Sequence, residues 1–245
     1  MIATRYVAPL REGGSLPGLM EADDDGLYVT KFRAAGQGDK ALVAEVVAGE
    51  LARAIGLSVP ELAVVEVAAA LGLAEPDPEI QDLIVGSPGD NLGMDFLPGA
   101  LPMAAQSDPA VDAELAADVV WFDALVTNVD RTPRNPNLLV WHRKLYLIDH
   151  GASFFRQHGE RPLAETARDG VPMLAEHVLL PTAGSIEAAD ERLGERALAA
   201  IDTAVALAPE SWLGPDPAAR RADLAGFLRE RLKAPRPFVE ELQRG

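Results

Sequence analysis

The sequence predicts an α+β protein of two lobes, a mostly antiparallel β lobe with one helix followed by a largely helical lobe. Three observations carry this. Short alternating segments fill the first hundred residues, helical periodicity takes over from about Asp108, and the helices are broken only by a hairpin pattern, "NLLVWHRKLYLID", at residues 137–149. Strands first and helices afterwards is the order of an α+β layout, and two unlike lobes leave a cleft where they join. The connector near residues 92–99 marks that join and divides the chain into residues 1–97 and 98–245.

Along the chain, "TRYVAPL" and "GLYVTKF" alternate as strands, with the loop "GGSLPG" (Gly13–Gly18) between them. A helix runs from about Lys40 to Ile55 and stops at Gly56. "ELAVVEVA" is another strand, "EPDPEIQDLIVGSPGDN" reads as a Pro-rich turn with a polar approach, and "LGMDFLPGA" is a short apolar strand ending at Pro98-Gly99. After the hairpin the helical character resumes, and the C-terminal third, including "SIEAADERLGERALAAIDTAVALA" and "ARRADLAGFLRERLKA", reads as wholly helical. No internal repeat is visible.

Composition narrows the function. A 48% hydrophobic and 24% charged chain of 245 residues can bury a substantial core. No apolar run reaches the roughly 18 residues that cross a bilayer, and the N-terminus lacks a signal-peptide layout, so a cytoplasmic location is expected. With no cysteine, disulfides, thiolate metal sites and cysteine nucleophiles are excluded. A net charge of −16 opposes nucleic acid and stable association with an anionic membrane, but not a nucleotide whose phosphates are screened by metal.

The stretch "NVDRTPRNPNLLVWHRKLYLIDHG" (128–151) places Asp130 and Asp149 on either side of the hairpin, with Asn135 and Asn137 between them. Asp, Asn and Pro also populate turns for local reasons. The sharper reading is a phosphoryl-transfer site, because such chemistry needs a divalent cation held by hard oxygen ligands and a carboxylate that orients the acceptor. Asp149, at the end of the strand "LYLI", suits a metal ligand, with Gly151 letting the backbone turn sharply. Asp130 would then orient the acceptor, and an asparagine can offer the metal a neutral oxygen.

Here the residues carry a resemblance. "DRTPRN" with "NLLV" and "LIDHG" is similar to the catalytic loop and metal-binding segment of HipA-like kinases, and also to phosphatidylinositol kinases, both within the wider protein-kinase-like fold. "EVVAGELARAIGLSVPE" resembles the HipA-like helix whose glutamate faces the ATP-binding lysine, matched by Lys31 in "YVTKF". The resemblance implies an ATP- and Mg²⁺-dependent kinase in which Asp130 is the catalytic aspartate. Asp149 would be a magnesium ligand, Lys31 the contact to the α/β-phosphates and Glu45 its ion-pair partner. The connector "GMDFLPG", with Met94 and Phe96, would give backbone hydrogen bonds to adenine, and Gly13, Gly14 and Ser15 would cover the phosphates. Family spacing selects Asn135 as the second metal ligand, whereas running directly into an apolar strand selects Asn137. Thr132 stands where the family has a histidine.

Other residues have competing readings. Lys31 could be an edge-strand guard. On a helical wheel Val43, Val46, Val47, Leu51 and Ala54 form the apolar stripe with Glu50 inside it, while Glu45 points nearly opposite, among Ala41, Ala48, Gly49 and Ala52. Periodicity therefore selects Glu50 as the buried acid and the resemblance selects Glu45. A histidine beside a glycine turn, such as His150, is more often structural than functional, and His142 and His158 read as solvent-facing. Asp123, Asn128 and Arg131 read as braces of the loop, Trp121 and Phe122 as core. The phosphate acceptor, a protein or small-molecule hydroxyl, is not written in the chain. A lipid or small-molecule phosphotransferase and a nucleotide-binding pseudokinase scaffold are the competing functions.

Overall fold

The alternation of the first hundred residues becomes a five-stranded antiparallel sheet, β1 (Ala3–Pro9), β2 (Gly18–Ala22), β3 (Leu27–Lys31), β4 (Leu62–Val67) and β5 (Gly89–Asp95), in the order β1-β2-β3-β5-β4. The computed structural model describes residues 1–10, 16–73, 75–103 and 111–243. Ile2 bridges Glu66, so the two edge strands meet at one end and part of each exposed edge is covered. β2 is not legible in the sequence because it opens on a glycine inside a turn-rich stretch. Gly18 is required there: a Cβ would lie 2.8 Å from the Tyr6 ring and 3.0 Å from Phe32.

The helix α1 (Asp39–Ile55) ends where Gly56 takes a φ of 101°, as its position after the last apolar residue predicts. The segment expected as a Pro-rich turn instead holds α2 (Pro78–Val85). Asp77 caps it by accepting the Glu79 N–H and Pro78 occupies the first turn, so an Asp-Pro pair that suits a turn starts a helix here. α3 (Ala113–Val126) is buried over most of its length and carries Trp121 and Phe122 into the core.

The predicted hairpin forms as β7 (Leu138–Trp141) and β8 (Lys144–Leu147), and β6 (Leu101–Pro102) adds a third strand that the sequence does not announce. The expectation of unbroken helix after it fails between residues 151 and 185. Pro162, Pro172 and Pro181, with Gly170 between them, leave only short 3-10 turns such as Phe155–His158 and Pro172–Glu176. Regular helix resumes in α4 (Ile186–Ala206), α5 (Pro217–Leu232) and α6 (Pro237–Gln243). No helix among the described residues is long and apolar enough to cross a membrane.

The main core joins α1 to α3, α4 and α5, while a smaller cluster of Met20, Phe32, Val65, Val67, Ile80 and Ile84 lies under the sheet. α1 therefore belongs by chain order to the first half and by packing to the second. A short turn after α4 adds a polar tie, in which Ser211 donates to the Asp90 carboxylate (2.7 Å) and the Trp212 indole to the Asp90 carbonyl (3.1 Å).

Candidate active site

β3 is the central strand, flanked by β2 and β5, so Lys31 at its end, paired with Leu92 of β5, does not guard an edge. Its ammonium pairs with Glu45 Oε1 on α1 and lies 2.7 Å from Asp149 Oδ1, just beyond β8. Glu45 is buried, and its carboxylate also accepts the backbone N–H groups of His150 (2.8 Å) and Gly151 (2.9 Å). One side chain thus fastens the lysine strand, α1 and the segment after the hairpin. Glu50 faces elsewhere: it lies near Arg53 (3.7 Å) in a shallow pocket of about 300 Å³ shared with Thr203 and Leu207 of the α4 region. The wheel misplaces both acids because α1 is covered on nearly every side, so one apolar stripe does not identify its interior.

The small residues around Glu45 explain the close approach. A Cβ on Gly49 would lie 2.6 Å from Leu62 of β4, and one on Gly151 would lie 3.1 Å from Glu45 Oε1 and 3.7 Å from the Ala41 Cβ. Gly151 is required for this space. The unusual turn expected of it falls instead on Asp149, whose φ is 57°.

The loop after α3 is braced from beneath. Asn128 accepts the Asp130 N–H (3.2 Å), and the Asn135 amide donates to Asp130 Oδ2 (2.8 Å). Asn137, with φ of 50°, offers its carbonyl to Arg131, whose guanidinium is buried and also bonds Asp123 (2.5 Å). Thr132 closes the turn by accepting the Asn135 N–H (3.3 Å). Two contacts come from a residue without a local sequence signal: His177 Nε2 lies 2.8 Å from Asp123, and His177 Nδ1 accepts the Leu179 N–H (3.1 Å). Only the fold brings this histidine under the loop.

The electrostatics are those of a site short of positive charge. Burial opposes the Lys31 ammonium, but Glu45 and Asp149 outweigh it and raise its pKa. Burial would raise the Asp149 pKa, yet Lys31 pulls it down to about 2. Asp130 is pushed up, first by burial and then by the charge of Asp149. Glu45 and Asp149 thus share one ammonium, while Asp130 feels the charge of Asp149 and is offset by the Asn135 amide and Arg131. This all-oxygen set with surplus negative charge fits a hard divalent cation that takes part of its coordination from phosphate. Among the described residues no three His, Cys, Asp or Glu side chains form a metal cluster by themselves.

His150 is buried edge-on against Phe122 (6.0 Å), and burial, with the charge of Arg131, lowers its pKa to about 3, so the ring is neutral at pH 7. His142 and His158 are exposed. Met94 lies in the ladder between Val29 and Leu62, and the Phe96 N–H donates to the Leu27 carbonyl (2.9 Å). What Phe96 can offer a base is therefore its carbonyl and not its N–H, which narrows the expected backbone contacts. Gly13, Gly14 and Ser15 lie outside the described residues.

A sequence profile of the family described as HipA-like kinase matches residues 4–234. No match is found among curated proteins. Among solved structures, the chain is similar to the crystal structure of a Helicobacter pylori proinflammatory kinase, CtkA, at 12% identity and a TM-score of 0.59, over 97% of this chain and 98% of that one. At that identity the likeness establishes the fold, a two-lobed protein-kinase-like architecture. The Drosophila melanogaster PAN3 pseudokinase, at 11% identity and a TM-score of 0.30 over 98% of this chain and 65% of that one, is too distant to carry an argument.

Proposed function

Because the chain belongs to the HipA-like kinase family, we propose that it uses ATP and Mg²⁺ to transfer the γ-phosphate to a hydroxyl of a protein or small-molecule acceptor. The observation that carries this reading is the junction at Lys31, where one ammonium meets a buried glutamate of α1 and the aspartate after the hairpin. A lysine already restrained by Glu45 is positioned to hold polyphosphate oxygens. Asp149, ionised far below neutrality, would hold the cation together with Asn135 or Asn137. Bound Mg²⁺ would neutralise the phosphate charge and orient the transferred group.

Asp130 is fixed by Asn128 and Asn135 and feels the charge of Asp149. Its carboxylate would orient the acceptor hydroxyl and take its proton. The raised pKa suits that task, since a carboxylate of greater basicity accepts a proton more readily. Met94, near the end of β5, and Phe96, just beyond it, would lie beside adenine, and the loop of Gly13, Gly14 and Ser15 would cover the phosphates.

The test is incubation with labelled ATP and Mg²⁺, alone and with cell lysate, for wild type and Asp130→Ala. Transfer in wild type should fall by at least ~10²-fold in the variant, the range for a positioned acid/base group, with nucleotide binding retained. Near wild-type transfer by Asp130→Ala would return Asp130 to the role of a turn residue. Binding of nucleotide without transfer to any molecule would favour a pseudokinase scaffold.

A further inference from the structure

We propose that His177 is a positioning residue for the reaction: it reaches from outside the loop to hold Asp123, and through Asp123 it fixes the segment that carries Asp130. This rests on the kinase reading above. Asp123 is fully buried on α3, and its carboxylate gathers three partners. Oδ1 accepts from Asn128 (3.2 Å), while Oδ2 meets Arg131 Nε (2.5 Å) and His177 Nε2 (2.8 Å). Each of the first two partners continues into the site. Asn128 holds the Asp130 N–H, and Arg131 reaches the carbonyls of Asn137 and Ile148, the latter directly before Asp149. Asp123 is therefore the hub from which both halves of the candidate site are hung.

The imidazole is held in one tautomer. Nδ1 accepts the Leu179 N–H, so it carries no proton, and the neutral ring must bear its proton on Nε2 and donate to Asp123. The same short segment grips the loop again through its backbone, where the Val178 N–H donates to the Arg131 carbonyl (3.0 Å). Burial alone would raise the Asp123 pKa. Arg131 and the His177 hydrogen bond reverse this and hold the carboxyl well below the usual range. A buried anion kept ionised by donors on two sides has little freedom to turn. Without His177, Asp123 would keep Arg131 and Asn128 but lose the second donor to Oδ2, and the carboxylate, Asn128 and the loop could shift together.

A purely structural histidine and a positioning one differ in what rescues them. The glutamine amide nitrogen can reach the place of Nε2 and donate to Asp123. The asparagine side chain is shorter; it can accept from the Leu179 N–H but does not reach Asp123. The purified full chain would be compared as wild type, His177→Gln, His177→Asn and Asp130→Ala, with Mg·ATP as the probe for affinity and labelled ATP for phosphate transfer. His177→Leu, which preserves bulk, replaces His177→Asn should the latter not fold.

The expected result is that His177→Gln stays within about 3-fold of wild-type transfer while His177→Asn is slowed on the order of 10–10²-fold, the scale of a misplaced reacting group. Mg·ATP affinity should change much less than transfer in both, because Lys31, Glu45 and Asp149 do not touch His177 and Arg131 keeps its own bonds to Asp123 and to the Asn137 carbonyl. Equal rates for His177→Gln and His177→Asn, or the reverse order, would overturn the inference while an inactive Asp130→Ala left the kinase reading standing. An Asp130→Ala variant as active as wild type, or a wild type that transfers nothing, would sink that reading and the inference with it.

Discussion

Lys31 shares one positive charge between two carboxylates, and their titration has a definite sign. Asp149 lies below its unfolded value, about 3.9, at about 2. Its contribution to stability is therefore fully present above pH 4 and is lost as the pH falls through about 2. Asp149→Asn should flatten that acid limb in denaturant titrations between pH 4 and 2; because the side chain is 40% exposed, solvent screens the pair and the change is small. His150 acts over a different window. The unfolded chain binds a proton near pH 6.5 that the buried ring refuses until about pH 3, so stability drops as the pH is lowered across this interval. His150→Leu should remove that slope, at most about 1.4 kcal/mol per pH unit for one proton. An unchanged slope between pH 6.5 and 4 in the variant would show that other groups govern it.

At the scale of an element, α1 decides which glutamate matters. Glu45 holds Lys31 and two backbone N–H groups from a buried position, so Glu45→Gln should reduce both nucleotide positioning and stability, the latter by about 1–3 kcal/mol, as expected when a buried charged partner is removed. Glu50→Gln, with its acid beside Arg53 on the pocket face, should stay within about 0.5 kcal/mol and leave turnover unchanged. Paired unfolding and transfer assays check both, and a larger effect at Glu50 would revive the helical wheel. Ala48, Gly49 and Ala52 are buried, while Ala54, on the predicted stripe, is exposed. Periodicity reads a helix with one wet face and fails on one buried all round. It failed differently at β2, a five-residue strand that starts on glycine, and at α2, where Asp77 and Pro78 serve a helix start as well as a turn. The hairpin was legible because two largely apolar runs flank the polar His142-Arg143-Lys144 stretch and Asp149 and Gly151 mark its end. His177 was not, since its contacts span 54 residues and leave no local spacing to read.

Over the whole molecule, the proposed kinase, of net charge −16, would bind a polyphosphate where Glu45 and Asp149 share the Lys31 ammonium and Asp130 feels the charge of Asp149. ATP alone would add negative charge to a site that already has it in surplus, whereas the magnesium complex brings a cation to Asp149 and the asparagines. Ligand bound to the folded chain stabilises it by mass action, about 2.7 kcal/mol at a hundredfold excess over Kd. For a chain of this length that corresponds to a rise in Tm on the order of 5–10 °C. Wild type should show this rise with Mg·ATP and little of it with ATP and a chelator. Asp149→Asn should lose most of the metal-dependent part and bind metal-free ATP at least as well as wild type, because a repelling carboxylate has become neutral. A wild-type rise that is the same with and without the chelator would remove the cation from the site. A variant that keeps the full metal-dependent rise would instead remove Asp149 from its ligands, leaving Lys31 and Glu45 as the binding contacts and the role of the hairpin's aspartate to be found elsewhere.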